Sequence, residues 1–160
     1  NASPAWSICR SWFNDIDNTA SSYFTTDRST NNTASFTEIN SEIRAEFLVW
    51  DGQAANISVN GGTLLNMGAG DGGYAYYGIA IDGASPQDNG CGIVGVVVAD
   101  NYASQDWLPL SINTAISGLS EGYHYATVSG LVVHTSGSGG LLYFNGSGTS
   151  GRRTSLTVKT

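Results

Sequence analysis

Gly118-Leu119-Ser120-Glu121-Gly122 matches the G-x-S-x-G pattern in which a strained turn exposes a serine for nucleophilic attack, and His124 follows closely. Such an elbow needs a helix after the serine. Here Gly122 instead opens an alternating run, Tyr123-His124-Tyr125-Ala126-Thr127-Val128-Ser129-Gly130, with Tyr123, Tyr125, Thr127 and Ser129 on one face, which is antiparallel strand grammar. A Glu-Gly turn is therefore the expected role of the motif, and no catalytic residue is expected. His124 and His134 are the two histidines, and neither stands at the i, i+4 or C-x-x-C spacing of a zinc site, so no metal ligand set is expected. His124 is expected to pack between strands or near a symmetry axis, and His134 to lie in the polar loop from Thr135 to Gly140.

Carboxylates cluster in Gly70-Asp71-Gly72-Gly73 and in Asp82-Gly83-Ala84-Ser85-Pro86-Gln87-Asp88-Asn89-Gly90. Flexible turns of this kind can fold oxygens around calcium, but EF-hand spacing is absent and Asp and Asn are ordinary turn formers; turns rather than a cofactor are the expectation. No segment stands out as a glycosidase carboxylate pair. The aromatics carry a stronger suggestion. Tyr74, Tyr76 and Tyr77 follow Asp71, while Tyr102 and Trp107 sit beside Asp100, Asn101, Gln105 and Asp106. Flat apolar rings next to amide and carboxylate groups are what sugar recognition needs. The candidate ligand-binding set is Asp71, Tyr74, Tyr77, Asn101, Tyr102, Asp106 and Trp107. The same rings could fill a sandwich core, and only exposed ones would count.

The elements that position these residues are strands. Ile43, Ala45, Phe47 and Val49 share one face and Arg44, Glu46, Leu48 and Trp50 the other, with Asp51-Gly52 ending the strand in a turn. Ala55, Ile57 and Val59 form the next, which Asn60-Gly61-Gly62 is expected to stop. Tyr74 to Ile81, Ile93 to Val98, Asp106 to Ile112, Tyr123 to Val133, Leu141 to Phe144 and Thr154 to Val158 follow. Ser111 to Ile116 is the one weak helical candidate. Residues 1–34 are less regular, reading as loop with short strands. About nine or ten short strands separated by glycine-rich turns, without intervening helices, predict one all-β domain: an antiparallel β-sandwich or jelly roll.

The run from Gly118 to Gly130, read with Ala45-Glu46-Phe47-Leu48-Val49-Trp50-Asp51-Gly52, Gly78-Ile79-Ala80-Ile81-Asp82-Gly83 and Arg153-Thr154-Ser155-Leu156-Thr157-Val158, resembles the trimeric jelly-roll head domains that end phage tail fibres and tailspikes. These are related in shape to the C1q and TNF fold. The resemblance spans roughly residues 36 to 160. It implies a homotrimer on the virion, outside the cell, that contacts a bacterial surface polysaccharide without catalysis, and a chain that is the C-terminal fragment of something longer. The rivals are a purely architectural trimerisation and folding cap, and a carbohydrate-active enzyme or the accessory module of a capsule depolymerase. A secreted C1q-like ligand is a further rival, which the N-x-S/T tripeptides at Asn31, Asn56 and Asn145 would suit. Apolar residues on both faces of Ile93-Val94-Gly95-Val96-Val97-Val98 also exceed what one sandwich interior needs, which argues for a subunit interface.

Charge narrows the partners. The chain of 160 residues has 6 Lys and Arg against 13 Asp and Glu, and no Lys or Arg lies between Arg44 and Arg152. Phosphate neutralisation needs a cationic stripe, so nucleic acid is not an expected partner, and neutral sugars are favoured over anionic ones unless the latter dock at Arg152-Arg153. No apolar run approaches the length of a bilayer span, so no membrane insertion is expected. Cys9 and Cys91 permit one disulfide without requiring it; assembly in a reducing bacterial cytoplasm, which the resemblance implies, favours two thiols.

Overall fold

The computed structural model describes residues 18–67, 71–83, 86, 94–98, 107–137, 139–146 and 153–160. Eleven strands appear among them: β1 (Thr19–Tyr23), β2 (Arg28–Thr30), β3 (Thr37–Glu38), β4 (Ala45–Val49), β5 (Ala55–Met67), β6 (Gly72–Ile81), β7 (Val94–Val98), β8 (Leu108–Ile116), β9 (Gly122–Ser136), β10 (Gly140–Phe144) and β11 (Ser155–Lys159). A single 3-10 turn, Ser41–Ile43, precedes β4, with the Asn40 side chain accepting from the Glu42 N–H at 2.9 Å.

The strands form two antiparallel sheets of six and five strands. In the first, β5 is the spine. Its whole first half pairs with β8 on one edge, while the opposite edge is shared by β11, along Asn56 to Asn60, and β10, along Thr63 to Met67. β1 extends the sheet beyond β11, and β2 extends it beyond β10. In the second sheet β9 is the spine, with β6 and then β7 on one side and β4 and β3 sharing the other. Setting the short strands β2, β3 and β10 aside, the sheets run β1-β11-β5-β8 and β4-β9-β6-β7. That is the double Greek-key order of a jelly roll.

Period-2 alternation fills the space between the sheets. Ala55, Ile57, Val59, Leu65, Met67, Leu110, Ile112, Leu142, Phe144, Leu156 and Val158 enter from the first sheet, and Phe47, Val49, Tyr77, Ile79, Ile81, Val128 and Val132 from the second. Each fully buried aliphatic or aromatic side chain contributes about 1.5–3 kcal/mol of transfer free energy. At the centre the two sheets approach so closely that a Cβ on Gly130 would lie 2.8 Å from Leu142 Cδ2.

Two local expectations are corrected. Asn60-Gly61-Gly62 does not stop a strand; β5 runs through it. The glycine is needed there because a Cβ on Gly61 would lie 2.5 Å from Thr154 Cα, where the shared edge of β5 changes partner from β11 to β10. That seam is closed by backbone bonds from Asn145 N to Gly62 O and from Thr154 N to Asn145 O. The weak helical candidate Ser111 to Ile116 is the second half of β8, fixed by pairing with Ala55 to Asn60. The turn at Asp51-Gly52 is present, with Gly52 at φ +75°.

Candidate functional site

Three places on this frame hold groups that could do chemistry. The first is the end of β6 and β9 where Asp82, Ser120 and His124 meet. His124 points inward, 6% exposed, against Phe47 at 5.9 Å between ring centroids. Its Nδ1 lies 2.6 Å from Asp82 Oδ2, and its Nε2 lies 2.8 Å from the backbone carbonyl oxygen of Ser120. Opposite an ionised Asp82 both neighbours are acceptors, so the geometry favours the form in which both ring nitrogens donate, the imidazolium. Burial alone would lower its pKa; the bond to Asp82, the bond to the Ser120 carbonyl and the Asp82 charge outweigh it and raise the value above the ordinary 6.5. Asp82 adopts φ +53°, a conformation Asp tolerates, and its Oδ1 accepts from Tyr125 N at 3.0 Å. Aspartate, histidine and serine thus converge, but it is the serine backbone that the imidazole holds. A nucleophile would need the serine hydroxyl there and a neutral base nitrogen facing it.

The second place is the outer face of the five-stranded sheet. β6 alternates so that Tyr74 and Tyr76 face outward and half-buried, their rings edge to face at 5.2 Å. Register sets Tyr74 beside Val133 and Tyr76 beside Leu131 of β9, both also half-buried. Tyr77 faces the other way. It is 3% exposed and packs edge to face on Phe144 at 6.2 Å, so it fills the core and offers no face to a ligand. Near the start of β6, Asp71 accepts from Gly139 N at 3.0 Å and so ties down the β9–β10 turn. A cavity of about 530 Å³ beside that turn is lined by Asn31, Thr33, His134, Gly137, Gly139 and Leu141, among others. His134 belongs to β9 rather than to the loop after it, and its Nδ1 is buried without a hydrogen-bond partner. Further along the same sheet face, Arg44 forks onto Glu38 at 2.7 and 2.6 Å and stacks over Tyr125 at 4.5 Å, while Thr127 donates to Glu38 at 2.8 Å. The bond to Arg44 leads in holding the Glu38 carboxyl below its ordinary pKa.

The third place is the outer face of the six-stranded sheet. There most outward positions of β8, the first half of β5, β11 and β1 are Ser, Thr or Asn, and the one exposed ring on these strands is Tyr23, 50% exposed.

Of the residues expected from sequence to touch a ligand, Tyr74 lies near the start of β6 with Asp71 just before that strand, and Trp107 stands half-buried immediately before β8. Asn101, Tyr102 and Asp106 lie outside the described residues, as do Cys9, Cys91 and Arg152. Asp82 as a partner for His124 was missed. Forty-two residues separate the two, and no spacing rule connects them. Among the described residues, no three His, Cys, Asp or Glu side chains are grouped as metal ligands, and no helix is long and apolar enough to cross a membrane.

No protein-family model and no curated protein matches the chain. Among solved structures it is similar to a chain of the structure of infectious bursal disease virus Gt strain, at 11% identity and a TM-score of 0.33. That match covers 99% of this chain and 41% of the other, so this chain spans about two-fifths of its length.

Proposed function

We propose that the chain is a non-enzymatic binding head, the terminal domain of a phage tail fibre or tailspike, which assembles as a homotrimer on the virion and contacts a bacterial surface glycan. The observation that carries this reading is the Tyr74–Tyr76 pair, standing outward on a jelly-roll sheet with Asp71 just before the same strand. An aromatic face can stack on a sugar ring while neighbouring oxygens and amides hold its hydroxyls. Support for a binding rather than a catalytic role comes from His124, whose two nitrogens are both committed to structural acceptors. A glycan array on the chain, repeated with Tyr74→Ala and Tyr76→Ala, tests the reading. Loss of signal at normal stability supports it, and no bound glycan for the parent chain refutes it.

A second reading, a trimerisation cap with no receptor contact, is favoured by the same face: Leu131 and Val133 stand beside the two tyrosines, making an aromatic and aliphatic patch that a second copy could cover. Light scattering separates the two. If Tyr76→Ala lowers the mass of the assembly, the patch is an interface.

A further inference from the structure

The outer face of the six-stranded sheet is built differently from the rest of the molecule. Strand register arranges its outward side chains in cross-strand rows. Ala115, Asn56, Lys159 and Thr19 make one; Asn113, Ser58, Thr157 and Ser21 the next; Ser111, Asn60, Ser155 and Tyr23 the third. Neighbours within a row lie about 4.8 Å apart and successive rows about 6.7 Å, the two spacings of a β-sheet. These side chains are exposed or half-exposed, and the Ser111 hydroxyl lies 3.2 Å from Asn60 Oδ1, which holds two of them in a fixed relation. An open depression of about 520 Å³ crosses the face between Asn56, Ser58, Asn113, Thr157 and Lys159.

The composition is selective. In a chain of net charge −7, β1, β5, β8 and β11 together contain no Asp or Glu and one cation, Lys159, whereas the ion pairs Arg28–Glu42, Arg44–Glu38 and His124–Asp82 all involve other elements. With no carboxylate and a single cation, Lys159, on its four strands, the face offers little for recognition by charge. Across β8, the first half of β5, β11 and β1 its outward apolar groups are Ala115, Pro109 and Tyr23, with Leu108 exposed at the start of β8, while Leu64, Leu141 and Tyr143 lie toward β10; this scatter is not the apolar core of a protein–protein interface. What remains is a grid of donors and acceptors repeating on the scale of a sugar ring. At its corner stands an exposed aromatic, Tyr23, with the Arg153 guanidinium 4.7 Å over its ring.

We infer that this face is a second binding surface, for a neutral polysaccharide chain lying across β8, β5, β11 and β1, with Tyr23 as the stacking residue at its edge. The inference stands apart from the tyrosine site on the opposite sheet. Hydroxyls of the glycan replace water on Asn113, Ser58, Thr157 and Ser21, and the absence of carboxylates and of a cationic cluster selects an uncharged polymer.

The test is affinity electrophoresis of the whole chain in gels carrying dextran, laminarin or mannan as neutral probes and alginate as the anionic one. Retardation by at least one neutral probe and not by alginate is expected, and the double variant Ser58→Asp/Thr157→Asp should weaken it at least about tenfold. The Tyr74→Ala/Tyr76→Ala chain, which lacks the other proposed site, is run beside the parent, and the retardation it keeps is the part assigned to this face. Should the double aspartate variant lose its folded signature in circular dichroism, Asn113→Ala, at an exposed position, is read in its place. No retardation of the parent chain by any neutral probe overturns the inference, as does undiminished binding by the platform variants. Loss confined to the tyrosine variant removes this site and leaves the other standing. A fall in assembly mass for Ser58→Asp/Thr157→Asp overturns it differently, by showing that the face joins two copies of the chain.

Discussion

Replacing Asp82 by Asn tests the imidazolium assignment, because Asn keeps the side-chain size and tolerates the left-handed φ of +53° while removing the charge opposite His124. The lost interaction is a charge-assisted hydrogen bond of 2.6 Å. Such bonds contribute about 1.5–3 kcal/mol, and because the Asp82 side chain is 45% exposed while that of His124 is 8% exposed, the low end, about 1.5 kcal/mol, applies. For a domain of this size that corresponds to about 3–6 °C in melting temperature. The pH dependence gives the sharper signature. His124 has a raised pKa in the folded chain, so the native state holds more protons than the unfolded state between about pH 6.5 and the raised value. The stabilisation is therefore complete below about pH 6.5 and is lost as pH rises through the folded pKa. Urea unfolding of both proteins at several pH values from about 5.5 to 8.5, above the range where most carboxylates titrate, should show a gap that is widest at the acid end and narrows upward. An equal gap at both ends, or an Asp82→Asn protein as stable as its parent at the acid end, would refute a charged His124.

Four further outcomes follow from the geometry. Gly61→Ala should destabilise by about 2 kcal/mol or more, since its Cβ would meet backbone of Thr154, whereas Gly52→Ala should cost only about 1 kcal/mol for its φ of +75°, having nothing within 4 Å; urea midpoints of the two variants decide. Gly130→Ala overpacks the contact with Leu142 and Ile39 and should cost about 1–3 kcal/mol in the same assay. Glu38→Gln should lose less than about 1 kcal/mol at neutral pH, because the pair is partly exposed. Since the folded pKa of Glu38 is depressed, that difference should vanish as pH falls through the depressed value. Ser120→Ala should leave the melting temperature within about 1 °C, since His124 holds the carbonyl and not the hydroxyl.

The sandwich class was legible because β4, the first half of β5 and β11 alternate strictly and turns carry Gly at positive φ, as at Gly52 and Gly118. What failed was non-local. Asn60-Gly61-Gly62 has the chemistry of a turn, but its reason for being glycine is Thr154, which the sequence places far away. Within Ser111 to Ile116, the i, i+3, i+4 spacing of Ile112, Ala115 and Ile116 permits a helical reading until β5 supplies partners. Tyr74 and Tyr77 looked equivalent as ligand contacts, yet an odd spacing of three puts them on opposite faces of one strand. The Ser, Thr and Asn alternation of β1, β5, β8 and β11 is visible strand by strand; only their registration turns it into a surface.

The pairing of β1 with β11 brings Asn18 and Thr160 together, each donating a backbone bond to the other at 3.1 and 3.0 Å. Tension applied between these two residues would act at right angles to the β1–β11 ladder and load its hydrogen bonds one after another. Such a ladder peels like a zipper at low force, while a ladder pulled along its length must break all its bonds at once. A pull that enters through Asn18 alone, opposed by a ligand spread across β8 and β5, would instead run along β1 and partly in shear. The same joint would then give way easily when its two ends are drawn apart and resist when the load is shared with whatever the sheet has gripped.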